Sequence, residues 1–378
     1  MDKHTVLLIM HMPPPVHGAS MVGKYIHDSG VINETFDCHY INLTTSRNLQ
    51  DIGKMKLHKL LDFYRLIRNI RKEVRRLRPG LVYVTANACG GAFYKDFIVV
   101  RMLKRMGCKV IVHYHNKGVA SRQGRRVDNL LYRHFFSDIK VMLLAPALYA
   151  DIKKYVKPAD VFYCPNGIPE TLVDEPEVKQ ERDVPHILFL SNLIISKGVL
   201  VLLDALKELR QRGCEFQCTF VGGETAELNM EGVDHYLLVS GLSDCVRYVG
   251  RKYGDEKAEV FREADIFVFP TYYSKECFPL VCLEAMEWKL PVVSTDEGGI
   301  PDIVKHGENG FVVSCRRNGN FNDGPSAADL ADVMERLVRN PALCRRMGEE
   351  GYRKFKEHFT LQAFERRFAE GLDWAIRQ

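Results

Sequence analysis

Short apolar runs alternate with amphipathic stretches along this chain. Val6-Leu7-Leu8-Ile9-Met10, Leu81-Val82-Tyr83-Val84, Lys109-Val110-Ile111-Val112, Val141-Met142-Leu143-Leu144 and Val161-Phe162-Tyr163-Cys164 are each bounded by polar or turn residues. Runs of this length read as buried strands. Between them lie helical stretches: one from about Met21, one over 54–78, and one from Gly90 to Met106. The second has Leu60, Phe63, Ile67, Ile70, Val74 and Leu77 on one stripe, and Pro79-Gly80 stops it. The pattern restarts at His186-Ile187-Leu188-Phe189-Leu190, followed by a helix from Val199 to about Arg212. Strands ending in turns over Cys218–Gly223, Val246–Arg251 and Asp265–Pro270 come next, then a helix with Pro279 at its first position running to about Trp288, and a last helix from about Leu361 to Ile376. Strand–helix alternation in both halves predicts an α/β chain of two doubly wound domains, 1–169 and 186–358. Residues 170–185 are charged, carry two prolines and lack periodicity, and so read as a linker.

Composition narrows the class. The chain has 378 residues, 46% hydrophobic and 27% charged, enough for two ordinary cores. Its 11 cysteines show no CxxC pairing, which argues against a disulfide framework or a zinc site and for reduced thiols in the cytoplasm. The first apolar run is too short for a secretory leader, and no stretch reaches the roughly 18 apolar residues of a membrane span. The net charge of +5 hides an asymmetry: residues 1–170 hold 27 Lys+Arg against 13 Asp+Glu, and the remainder 26 against 35. Ten of the basic residues lie between Lys54 and Arg78. The N-terminal half is thus expected to meet something anionic. Phe63 and Tyr64 are the only aromatics of that stretch, too few for a nucleic-acid stacking platform, so an anionic membrane surface is the expected partner.

Candidate chemistry gathers at the predicted strand ends. Glu276 falls in the loop before the Pro279 helix, and Glu284 lies inside that helix. The helix aims its unpaired amides at the strand's end, a site suited to phosphate. Lys197 stands just before Gly198 and another helix start, where its charge and the amides again suit a diphosphate. In the loop after the first strand, His11-Met12-Pro13-Pro14-Pro15-Val16-His17-Gly18, three prolines fix an extended path and Gly18 admits close approach of a ligand. His113 and His115 end the strand that begins at Lys109.

Glu276-x7-Glu284, followed by Pro291-Val292-Val293-Ser294-Thr295-Asp296-Glu297-Gly298-Gly299 and Gly307-Glu308-Asn309-Gly310-Phe311-Val312-Val313, resembles the donor-binding half of retaining glycosyltransferases of family 4. The resemblance is strong over 186–313 and loose over 1–170. It implies the GT-B fold, two Rossmann-like domains facing a central cleft, with residues 359–378 crossing back to the first domain. It implies a retaining transfer of a sugar from a nucleotide sugar to an acceptor hydroxyl, on a glycan or lipid-linked glycan of cell-surface polysaccharide synthesis, with no cofactor and no metal. The site it implies has His115, Lys197 and Glu276 as catalytic residues, with His113 as the rival histidine. Donor binding falls to Gly18, Asn192, Lys197, Glu276, Phe278, Leu280, Val281 and Glu284, with Glu276 on the sugar and Glu284 on the ribose. His17 and His113 belong to the acceptor side. The chain departs from the family at Ser191-Asn192, where glycine and arginine are usual, and at Pro279, where glycine is usual and an N–H is lost. Two other readings stand beside transfer: a nucleotide-sugar epimerase of the same fold, and a non-catalytic sugar-nucleotide-binding subunit. The expected location is cytoplasmic, peripheral on the inner face of the cell membrane.

Overall fold

The computed structural model describes residues 3–14, 18–43, 57–171, 182–318 and 321–378. The chain forms two compact units: Met1–Gly167 together with Leu361–Gln378, and Ile168–Thr360.

In the first unit the strands are β1 (Thr5–Met10), β2 (Asp37–Asn42), β3 (Leu81–Ala86), β4 (Val110–Tyr114), β5 (Lys140–Leu143) and β6 (Val161–Tyr163). They form one sheet in the order β2-β1-β3-β4-β5-β6, with all pairs parallel. Parallel strands covered on both faces must be apolar throughout, which is why β3 is buried at every position. The order reverses between β1 and β3, the point where ligands enter folds of this kind. The helix Gly18–Asp28 follows β1 and lies hard against its exit: a Cβ on Gly23 would sit 2.0 Å from the His11 carbonyl oxygen. The helix Leu57–Leu77 buries Ile70 and Val74 of its expected stripe, whereas Leu61 and Tyr64 are exposed.

The helix Leu361–Arg377 completes this unit. Phe364, Phe368, Leu372 and Ala375 join the core formed by Val6, Leu8, Leu81, Tyr83, Ile111 and Met142. Phe368 meets Tyr83 edge to face at 5.0 Å between ring centroids, and Lys109 Nζ donates to the Ile376 carbonyl at 2.7 Å. A Cβ on Gly371 would meet Met142 and Phe162 at 2.6–2.9 Å, so the helix packs with its backbone almost on the sheet.

The second unit repeats the plan with β7 (His186–Leu190), β8 (Gln217–Val221), β9 (Val246–Tyr248), β10 (Ile266–Phe269), β11 (Val292–Thr295) and β12 (Gly310–Val313). The order is β12-β11-β10-β7-β8-β9, again parallel, and it reverses between β7 and β10. A two-stranded antiparallel hairpin follows: β13 (Arg316–Asn318) and β14 (Phe321–Gly324).

Three expectations need adjusting. The helix after β10 runs Leu280–Glu287, and Pro279 is its N-cap with an extended ψ of 116°, not its first helical residue. The described ends of 170–185 are built into the second unit: Thr171 Oγ1 donates to the buried Glu287 at 3.1 Å, and the Pro185 carbonyl accepts from Gln217 N–H at 3.0 Å. The rest of that stretch, 172–181, lies outside the described residues. The strand β2 and the hairpin lack long apolar runs, which is why periodicity alone passes over them.

The chain has 2 tryptophans, and Trp374 reports on the first unit alone. Phe368→Ala in a Trp288→Phe background is expected to lower the first unit's unfolding free energy by about 3–5 kcal/mol, the usual cost of emptying a buried phenyl site. Urea unfolding followed by Trp374 fluorescence checks this; an unshifted midpoint would show that the last helix is not part of the core.

Candidate functional site

The second unit brings its predicted residues together at the reversal point. The segment leaving β7 makes a 3-10 turn, Ile195–Lys197, and enters the helix Val199–Gln211 through Gly198. Gly198 has φ +90°, and a Cβ there would sit 2.3 Å from the Pro270 carbonyl oxygen. Only glycine permits both the turn and that approach. Tyr272 N–H donates to the Ser196 carbonyl at 2.8 Å, tying the segment after β10 to the segment after β7.

That closeness lets Lys197 Nζ reach Glu276 Oε2 at 2.5 Å, with side chains 17% and 10% exposed. The Thr271 hydroxyl lies 3.5 Å from the same carboxylate oxygen. The Lys197 ammonium also stands 4.7 Å from the centroid of the Tyr273 ring and 5.4 Å from that of Phe269. A cation over ring faces is attracted by the ring quadrupole. Behind the pair, Gly298 has φ +59°, and its missing Cβ would lie 2.5 Å from the Glu276 carbonyl oxygen. Gly299 N–H donates to the Cys277 carbonyl at 2.7 Å. The Gly298-Gly299 turn therefore braces the backbone that carries Glu276.

One turn into the helix Leu280–Glu287, Glu284 pairs with Lys257 Nζ at 2.7 Å, both half-buried. Cys282 lies on this helix, between Glu276 and Glu284 in the sequence, and burial pushes its thiol well above the usual range, with Glu276 adding to the effect. The first amides of the helix have no intrahelical partner, and those of Leu280 and Val281 are its leading donors. The Phe278 side chain is buried edge-on against Phe359 at 5.8 Å. Asn192 is held on the turn after β8, where its Oδ1 accepts from Gly223 N–H at 3.2 Å.

In the first unit the two histidines separate. His113 is fully buried, its Nδ1 shares a 2.8 Å hydrogen bond with the Tyr83 hydroxyl, and its Nε2 has no partner among the described residues. Burial drives its pKa well below the usual range, with His115 adding to the effect, so it stays neutral. This corrects its assignment to the acceptor side: β4 is covered on both faces along its whole length, so His113 lies in the core, and only beyond the strand's end at Tyr114 does the chain leave it at His115. His115, half-exposed, stacks at 4.2 Å between centroids on His113. Its neighbour Asn116 accepts from Ala88 N–H at 2.8 Å and donates to Asn87 at 3.0 Å, fixing the loops after β3 and β4 to each other. Gly18 is exposed at its helix start, and His17 lies outside the described residues.

Three residues here escape a reading of the sequence. Lys257 sits in a helix whose acidic and basic residues read as a solvated face, yet it pairs with Glu284. Thr271 and Tyr273 surround Lys197 only because Gly198 brings two distant segments together. No group of His, Cys, Asp and Glu suited to a metal occurs among the described residues.

Residues 173–354 match the family model described as glycosyl transferases group 1. A D-inositol 3-phosphate glycosyltransferase of Corynebacterium jeikeium is 36% identical over 179 residues, 45% of this chain and 40% of that protein. The amylovoran biosynthesis glycosyltransferase AmsK of Erwinia amylovora is 33% identical over 169 residues, 43% of this chain and 39% of that protein. The chain thus spans less than half the length of these curated relatives. Among solved structures, a sucrose-phosphate synthase of Thermosynechococcus elongatus superposes with a TM-score of 0.71 at 18% identity, covering 98% of both chains. HepE of Anabaena, solved in complex with UDP, superposes with a TM-score of 0.71 at 15% identity, covering 99% of this chain and 100% of that one. The fold is GT-B, and the second unit carries a group 1 glycosyltransferase domain.

Gly198→Ala is expected to lower the melting temperature of the second unit, since the added Cβ drives the segment bearing Lys197 off Pro270. The strained φ alone costs about 1 kcal/mol or more. Thermal unfolding followed by Trp288 checks it, and an unchanged melting temperature would contradict the close approach.

Proposed function

We propose that this GT-B chain with its group 1 domain is a retaining glycosyltransferase that moves a sugar from a nucleotide sugar to an acceptor hydroxyl. The observation that carries this reading is the Lys197–Glu276 pair at the reversal point of the second sheet. Lysine has three donors, so Lys197 can hold Glu276 with one and offer the others to a diphosphate. Glu276 keeps an oxygen for the sugar's hydroxyls, and Glu284 faces the ribose. In the reaction the bond from the anomeric carbon to the diphosphate breaks and a bond to the acceptor oxygen forms on the same face. The acceptor's proton passes to the departing phosphate oxygen. Negative charge grows on the leaving group, and Lys197 with the amides of Leu280 and Val281 stabilises it without calling on a metal. In the first unit, His115 is the histidine that meets substrate.

The relatives named for D-inositol 3-phosphate and amylovoran, and the neighbour crystallised with UDP, support a nucleotide-sugar donor and a hydroxylated acceptor. They favour transfer over epimerisation or a non-catalytic role. Turnover by Lys197→Ala is expected to fall by roughly 10²–10³, the scale of losing one oxyanion-type donor. Release of nucleoside diphosphate from a panel of nucleotide sugars, with and without a chelator, is the measurement. Near-normal turnover in the variant would remove Lys197 from the reaction, and loss of wild-type activity in chelator would show that a metal takes part.

A lipid-linked acceptor is the second part of the proposal, with cytoplasmic, peripheral attachment. It is supported by the helix Leu57–Leu77, where exposed Leu61 and Tyr64 stand among exposed Arg65, Arg68, Arg71, Lys72, Arg75 and Arg76. Near an anionic leaflet each basic residue contributes about 1 kcal/mol, screened within a Debye length. No described helix is long and apolar enough to cross a membrane. Sedimentation with anionic vesicles that weakens as salt rises is expected, and equal sedimentation with neutral vesicles would oppose the idea.

A further inference from the structure

The Lys197–Glu276 pair is neutral as a unit, whereas a nucleoside diphosphate brings more than one negative charge. Another cation stands on the same edge of the second sheet. Arg251 follows β9, and its guanidinium lies flat on Gly223: a Cβ added there would be 2.1 Å from Nε and 2.5 Å from Nη2. The turn beneath it is bound to the segment that leads to Lys197. Gly223 N–H donates to Asn192 Oδ1 at 3.2 Å, and Leu193 N–H donates to the Gly223 carbonyl at 2.8 Å. Gly222, with φ +152°, packs its α-carbon onto the Ser191 carbonyl, where a Cβ would lie 1.7 Å from the oxygen.

Arg251 is exposed and takes part in no hydrogen bond or ion pair among the described residues. The carboxylates of that turn do not neutralise it: Glu227 accepts from Ile195 N–H at 2.9 Å, and Glu224 makes no pair with it. An arginine carried on a glycine, beside a neutral asparagine and short of a counter-ion, is a cation held in reserve for an anion. Its planar fork matches two phosphate oxygens.

We infer that Arg251 is the second cation of the donor site and binds the diphosphate while Lys197 remains on Glu276. This rests on the nucleotide-sugar reading above. The test is calorimetric titration of wild type with UDP, ADP and GDP, then comparison of the one that binds with its own nucleoside in the variants. Arg251→Ala weakens the diphosphate by about tenfold or more, the worth of a charged hydrogen bond, and leaves the nucleoside unchanged. Gly223→Ala, which pushes the guanidinium aside, has the same selective effect. Asn192→Arg added to Arg251→Ala restores the diphosphate, because position 192 already reaches the turn on which the guanidinium lies. Unchanged diphosphate affinity in Arg251→Ala overturns the inference, and so does an equal loss for diphosphate and nucleoside, which makes Arg251 a reader of the base. Binding of none of the three diphosphates by wild type overturns the donor reading itself, an outcome visible before any variant is made.

Discussion

The second unit depends on two backbone segments coming closer than side chains allow. Gly198 rests on the Pro270 carbonyl, and Gly298 rests on the Glu276 carbonyl. Between these two contacts Lys197 and Glu276 meet in a largely dry pocket. Burying an ion pair costs desolvation that mutual attraction repays only with good geometry and extra partners. Here the extra partners are the Thr271 hydroxyl and the faces of Tyr273 and Phe269. A pair of this kind contributes little net stability, so its value lies in holding a lysine and a carboxylate ready at one point. The sheet supplies the place, because the connections after β7 and β10 diverge there and leave a crevice between them.

The first unit has a different dependence. Its core is closed by residues from the far end of the chain. Tyr83 is clasped between His113, through a hydrogen bond, and Phe368, through ring contact. His115 stacks on His113 in turn. The helix Leu361–Arg377 therefore supports the ring on which His115 stacks. Phe368 also meets His113 directly, at 6.4 Å between centroids, so one ring lies between it and His115.

Much of this was legible because parallel, doubly covered strands must be continuous apolar runs. Val6–Met10 and Ile266–Phe269 announce themselves for that reason. The helix start near Leu280 was legible from proline, off by one place because Pro279 keeps an extended ψ. Lys197 and Glu276 could be named singly from their positions before helices, but their pairing could not. It depends on Gly198 and Pro270, residues 72 apart in the chain, and no local pattern reports a carbonyl approaching a glycine. His113 and His115 look equivalent in sequence. Strand geometry would set both on one face, and only the end of β4 at Tyr114 releases His115 from the core. Lys257 was hidden for a related reason: a charged helix residue becomes a site residue only when the fold turns it toward Glu284.

The pairs in the second unit also bear on how a donor would enter it. Lys197 sits on Glu276, and Lys257 sits on Glu284. Each of these four groups already has an opposite charge within hydrogen-bonding distance, so the two pairs are neutral and ordered before any ligand arrives. On the proposed function, a diphosphate would draw on the remaining donors of Lys197, and a ribose would compete with Lys257 for Glu284. Binding would then be largely an exchange of partners. It avoids stripping water from bare charges, and that desolvation is the largest cost of assembling a polar site. The side chains are held beforehand, so little conformational entropy is lost when the ligand arrives. Such an exchange favours a ligand that offers a new partner for each group it displaces. On the proposed function a nucleotide sugar would do so along its whole length, with ribose hydroxyls, phosphates and sugar hydroxyls in the order in which Glu284, the helix amides with Lys197, and Glu276 would receive them.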